Sequence, residues 1–225
     1  MGETAFVLSR TVLTAPPLVP ELVLHLATEV TPLWQATERE LAATGLPPPY
    51  WAFAWPGGQA LARLILDQPA LVAGRRVLDF AAGCGIAACA AMRAGAAHAS
   101  ATEIDAFACA AIALNARANA VEVTVRAADV TDSEAESWDV IVAGDVCYER
   151  PMAERAFAWL TQQAANGTLV LLADPGRAYL PAGLREIGRY VVATSRDLED
   201  REQRETRVFE LAQSAASTTR SSTMR

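Results

Sequence analysis

The sequence predicts an α/β fold, a doubly wound and mostly parallel sheet of seven strands behind an N-terminal extension. Three observations predict it. From residue 58 onward, short apolar runs alternate with longer helix-forming runs, the pattern of strands joined by crossover helices. One apolar run passes through a Gly-rich turn directly into a helix-forming stretch, "VLDFAAGCGIAA". The last two β-type runs, "YVVATS" and "ETRVFELA", have no full helix between them, which makes them an antiparallel hairpin at one edge of the sheet. Such a sheet, with helices on both faces, is Rossmann-like.

The elements follow in chain order. Residues 1–56 form the extension. "TAFVLSRTVL" reads as a short strand, and "ELVLHLA" alternates as a second one. Thr31 then caps a helix with Pro32 at its first position, "TPLWQATERELAATG", stopped by Gly45. "GLPPPYWAFAWPGG" is a rigid, aromatic-rich connector. Residues 57–212 carry the main domain. It starts with helix "GQALARLILDQPALV", strand "RRVLDF", helix "IAACAAMRAG", strand "HASATEI", helix "AFACAAIALNARANA" and strand "EVTVRAAD". Strand "WDVIVAGD", helix "RPMAERAFAWLTQQA", strand "GTLVLLADP", a helix from about Pro181 and the final hairpin complete it. Residues 213–225 are a polar tail expected to be disordered.

Composition excludes several function classes. A net charge of -7 is against nucleic-acid binding, which needs a basic face, and favours cationic partners. All 19 basic residues are Arg, so neither a phosphate-loop lysine nor a Schiff-base lysine is available. Cys84, Cys89, Cys109 and Cys147 form no C-x-x-C pair and have no His at ligand spacing, so no metal site is expected. They read as buried thiols of a reducing compartment. With two His and no G-x-S-x-G, a Ser-His-Asp hydrolase is improbable. Neither a signal peptide nor an apolar run of about 18 residues is present, which points to a cytoplasmic chain with no membrane partner.

The Gly-rich turn fits G-x-G-x-x-A through Gly83, Gly85 and Ala88, so a nicotinamide dinucleotide is one candidate ligand. Asp79, at the strand's end, argues for another. A carboxylate there repels a pyrophosphate but welcomes, directly or through water, the ammonium of a methionine moiety. S-adenosylmethionine carries that ammonium and no phosphate. Glu103, ending the next strand in "ATEID", is placed for the ribose hydroxyls of either ligand, and Asp129, ending the third, for an adenine amine. Taken singly, Asp105 and Asp129 also read as helix caps or solvated turns.

The pattern as a whole resembles class I, seven-β-strand methyltransferases. More narrowly it is similar to bacterial relatives of the lysine methyltransferases of the electron transfer flavoprotein β-subunit. The stretches that carry this are "PPLVPELVLHLATEVTPLWQ", "LPPPYWAFAWPGGQALARLILDQP", "RVLDFAAGCGIAA", "AGDVCYERPMAER" and "DPGRAYLP", from about residue 11 to 210. The common turn is D-x-G-x-G-x-G, and Ala81 takes its first glycine position here. The resemblance implies S-adenosylmethionine as donor and a protein lysine as acceptor. It implies that Asp79, Gly83 and Glu103 bind the cofactor and that Trp55, with Gly57 and Gly58, flanks it; the whole expected cofactor site is Trp55, Gly58, Asp79, Ala81, Gly83, Gly85, Glu103, Ile104, Asp129 and Ala143. The partner it implies is the flavoprotein β-subunit, met by a monomer.

"AGDVCYERP" then supplies the acceptor side. A lysine with an ordinary pKa of about 10.4 arrives as ammonium. Asp145 is placed to accept a hydrogen bond from it, and Tyr148 to pack against it through a cation–π contact of about 0.5–2 kcal/mol. Asp145 otherwise reads as a cap of the following helix, and Glu149 as an acid in that helix's first turn. Other readings of the same residues are methylation of a ribosomal protein or a small amine, or a catalytically silent cofactor-binding module.

Overall fold

A computed structural model describes residues 2–28, 48–132, 137–194 and 201–211. The helix expected over residues 31–45 and the tail from residue 213 lie outside the described residues. At the centre are strands β3 (Arg76–Phe80), β4 (His98–Glu103), β5 (Thr124–Ala127), β6 (Val140–Gly144) and β7 (Leu169–Asp174). They join β8 (Arg185–Ala193) and β9 (Gln203–Leu211) in one sheet of order β5-β4-β3-β6-β7-β9-β8. The pairings from β5 to β7 are parallel; β9 runs antiparallel to both β7 and β8. The α/β doubly wound fold with an antiparallel edge hairpin is therefore the observed one.

Continuous apolar strands make this sheet because both of its faces are covered. Val77, Val140, Val142 and Leu171 pack on one face with Leu61, Leu64 and Ile65 of α2 (Pro56–Asp67) and with α3 (Ile86–Arg93). Leu78, Ile141, Ala143 and Leu172 face the other way, onto Ala156, Trp159 and Leu160 of α5 (Arg150–Ala165). A fourth helix, α4 (Ala106–Ala118), buries Ile112 against Ala88, Ala99 and Ala101. Helix α2 opens at Pro56, two residues earlier than expected, because the first helical position does not use its N–H. It stops at Asp67, since Pro69 cannot continue it.

Two expected elements differ. The strand expected over residues 4–13 is mostly helix α1 (Glu3–Arg10); only Val12–Thr14 is strand, β1, paired antiparallel with β2 (Leu24–Leu26). Helical spacing turns Phe6 and Val7 inward together. Phe6 lies 4.9 Å from Phe107 and 6.5 Å from Trp51, centroid to centroid. Glu3 and Arg10 sit at the ends that suit the helix dipole. No helix forms from Pro181 either. Gly183 takes φ +79°, which ends any helical course, and the chain enters β8 at Arg185. The strand extends because β9 offers a full-length partner, and Arg185–Glu210 and Arg189–Glu205 pair across it.

Candidate functional site

The carboxyl ends of the parallel strands open into a cleft of about 660 Å³. Of the residues singled out from sequence, Trp55, Ala81, Gly83, Glu103, Ile104, Asp105, Asp129, Asp145, Tyr148 and Glu149 line it. Gly58, Asp79, Gly85 and Ala143 are not among its lining residues. Tyr50, Arg155 and Arg177 line it too and were not anticipated. Tyr50 lies in the aromatic connector and Arg177 in "DPGRAYLP", but nothing local in either stretch points to a cleft.

The cofactor end starts at the Gly-rich turn. Gly83 has φ +54° and open space where a side chain would stand. Ala81, in the position where a glycine is common, is itself left-handed at φ +51°, a strained backbone for alanine. Glu103 ties the turn: Oε1 accepts the Gly83 N–H at 2.7 Å and Oε2 the Ile104 N–H at 3.1 Å. Burial holds its carboxyl above the usual range. Asp129 Oδ1 accepts from the Thr131 N–H and hydroxyl, and Oδ2 takes Arg155 at 2.7 Å. Asp105 caps α4 by accepting the Phe107 N–H, as its helix-cap reading has it.

Asp79, within β3, lies behind the cleft lining. The carboxylate is 3% exposed, and Oδ2 accepts the Ala88 N–H at 2.9 Å. Ala88 is the third residue of α3, so the visible work of Asp79 is to satisfy an orphan amide of that helix. Burial first, then the charge of Glu103, pushes its pKa up to about 8. The unfolded chain releases this proton near pH 4 and the folded chain near pH 8. Between those values the folded state holds the extra proton, so stability falls as pH rises. Asp79→Asn keeps an acceptor for Ala88, and its melting temperature is expected to fall less than the wild type's between pH 5 and pH 9. Parallel melting curves across that window would contradict this.

Asp145 shows the same device at longer range. It follows β6 with φ +58°, and Oδ2 accepts the Gly57 and Gly58 N–H groups at 2.6 and 3.2 Å. The helix it caps is therefore α2, whereas α5 begins at Arg150 after the N-cap residue Glu149, whose side chain makes no capping bond. Oδ1 accepts from Arg177 Nη2 at 3.2 Å. Tyr50, Trp55 and Tyr148 form the wall above it, with Tyr50 centroids 6.0 Å from Trp55 and 5.3 Å from Tyr148. Burial pushes the Tyr148 phenol up to about 12, so it stays neutral at physiological pH. Cys84 and Cys147 are buried thiols, both pushed up to about 12.

The donor set fits S-adenosylmethionine. An open glycine turn meets an acidic strand end, and the two cleft arginines are engaged by Asp129 and Asp145. That arrangement suits an uncharged nucleoside better than a pyrophosphate. In the same cleft, the aromatic wall over the Asp145 carboxylate suits a cation on a flexible stem.

The family model for ribosomal protein L11 methyltransferase (PrmA) matches residues 60–147. The chain is 42% identical over 176 residues to the electron transfer flavoprotein beta subunit lysine methyltransferase of Xenopus laevis, covering 77% of this chain and 70% of that one. The Caenorhabditis elegans homolog is 36% identical over 188 residues, 76% of each. Among solved structures, the N-methyltransferase NodS of Bradyrhizobium japonicum WM9 with S-adenosyl-l-homocysteine superposes with a TM-score of 0.53 at 19% identity, covering 80% of this chain and 98% of that one. That likeness bears on the fold.

Proposed function

The chain belongs to the electron transfer flavoprotein beta subunit lysine methyltransferases, and from that premise we propose that its acceptor is a lysine of the flavoprotein β-subunit. The reaction is S-adenosylmethionine-dependent methylation of a protein lysine. We assign methyl transfer to a domain over residues 57–212, with residues 1–56 as an extension. The observation that carries the reading is one cleft lined both by Glu103 beside the Gly-rich turn and by Asp145 under an aromatic wall.

When bound, the cofactor supplies an electrophilic methyl group. Glu103 holds the ribose hydroxyls, and the Gly83 turn lets the backbone approach the ligand. Asp145 takes one N–H of the lysine amine and so aims its lone pair, while Tyr50 and Tyr148 pack the aliphatic stem. Orientation of this kind contributes roughly 7–11 kcal/mol in well-aligned reactions. Tyr148, held neutral, is not the base; water takes the proton.

Two experiments test this. Purified enzyme with labelled methyl donor and purified electron transfer flavoprotein is expected to label the β-subunit. Label on a different protein of a cell extract, or on a small amine alone, would overturn the acceptor. In the second, Glu103→Ala is expected to weaken S-adenosylhomocysteine binding roughly 10- to 100-fold by titration calorimetry, the worth of charge-assisted hydrogen bonds. Unchanged affinity would remove Glu103 from the cofactor site.

A further inference from the structure

Arg177 is a cation in a cleft whose aromatic wall and carboxylate suit a cation. Its guanidinium is 3.2 Å from Asp145 Oδ1 and 5.8 Å above Trp55. The loop that carries it is fastened down. Buried Asp174, ending β7, accepts the N–H groups of Gly176 and Arg177 at 2.7 and 2.6 Å, and the Tyr179 N–H donates to the Cys147 carbonyl at 3.3 Å. Gly176 takes φ +89° to make this turn. The side chain is only 21% exposed, so its charge is felt at close range.

An acid next to the acceptor has a drawback. Asp145 alone would stabilise the ammonium, which has no lone pair and cannot react. A second positive charge on the same carboxylate offsets that pull, because like charges disfavour the charged form of a neighbouring group. We infer that Arg177 makes the site accept lysine as the neutral amine, driving the ammonium proton to solvent while Asp145 keeps the nitrogen aimed. The N–H bond breaks, the proton passes to water, and its bonding pair stays on nitrogen as the nucleophile. The inference rests on the lysine acceptor proposed above.

Buried Cys84 faces the Asp145 charge. Asp174 and Cys147 lie beneath Arg177, and Arg207 acts on Asp174 from β9. Tyr50, Tyr148 and Glu149 stand at the mouth, with Glu103 on the cofactor side. Of the two arginines, Arg177 is the one on the acceptor carboxylate.

The test is the pH dependence of kcat and KM for methylation of the flavoprotein β-subunit by wild type, Arg177→Gln and Arg177→Lys. For Arg177→Gln the acidic limb of kcat is expected about one pH unit higher, a roughly tenfold loss at pH 7 that closes at high pH. KM at pH 7 is expected to stay level or fall, since the ammonium now binds Asp145 unopposed. Arg177→Lys restores the limb, and S-adenosylhomocysteine binding is the same in all three. A loss equal at every pH means a merely structural arginine and overturns the inference. So does a gain at every pH, which means that Arg177 only competes with lysine for the slot. No transfer to the β-subunit by wild type overturns the acceptor reading itself, and that outcome is distinct from parallel limbs in an active enzyme.

Discussion

Asp145→Asn is expected to lower methyl transfer by about two to three orders of magnitude, the usual cost of removing one preorganised charge from a reacting centre, while the protein stays folded. Asparagine is the informative change. It tolerates the left-handed backbone at φ +58° and keeps one oxygen for the Gly57 and Gly58 amides. It loses the negative charge that draws the lysine in, and it turns an acceptor facing Arg177 into a neutral amide. Alanine would mix two effects, because losing the cap of α2 costs about 1 kcal/mol by itself. The measurement is kcat and KM on the flavoprotein β-subunit, with a thermal melt and a cofactor titration alongside. An Asp145→Asn enzyme of wild-type rate would show that the carboxylate is only a helix cap.

The central sheet was legible because burial on both faces leaves a plain mark. Runs such as "WDVIVAGD" and "GTLVLLADP" are apolar without alternation, and they become β6 and β7. Legibility failed where a short segment takes its form from a distant partner. Phe6 makes α1 helical by meeting Phe107 and Trp51, and β9 draws residues from 185 onward into a strand. Neither partner is visible from the local pattern.

The site divides along the same line. Glu103 was readable because a strand-end acid after the second strand faces the cleft in any sheet of this kind. Asp79 and Asp145 were readable as important acids, and Asp145 as a cap of the following helix, but not as caps of the helices whose amides they satisfy. Their amide partners stand 9 and 88 positions away, so no capping motif is written around them. Arg177 pairs with Asp145 across 32 positions, and the two meet only because β6 and β7 are neighbours in the sheet.

That dependence on close backbone approach gives the second large effect. Gly57→Ala is expected to destabilise the protein by about 3 kcal/mol, the upper range of overpacking costs, which corresponds to a fall in melting temperature of roughly 6–12 °C. A Cβ on Gly57 would stand 2.5 Å from Asp145 Oδ2, 2.6 Å from the Ala173 carbonyl and 2.7 Å from the Asp145 amide nitrogen. Two of those atoms are backbone at the ends of β6 and β7, joined to each other by the Asp145 N–H to Ala173 carbonyl bond of 3.0 Å. They cannot yield without opening the sheet's edge, so α2 must retreat and give up its 2.6 Å cap. Cofactor affinity falls with it, because Trp55 enters the cleft from the turn that precedes this helix. Gly58→Ala is the control. Its Cβ would meet only the Ile86 Cγ2 at 3.0 Å, the end of a side chain that can turn aside, and alanine favours a helix over glycine by about 1 kcal/mol. A large loss for Gly57→Ala beside a small change for Gly58→Ala places the constraint at the contact between α2 and Asp145. Equal melting temperatures for wild type and Gly57→Ala would mean that α2 is not seated on Asp145 at all, and the capture of lysine at that carboxylate would lose its frame.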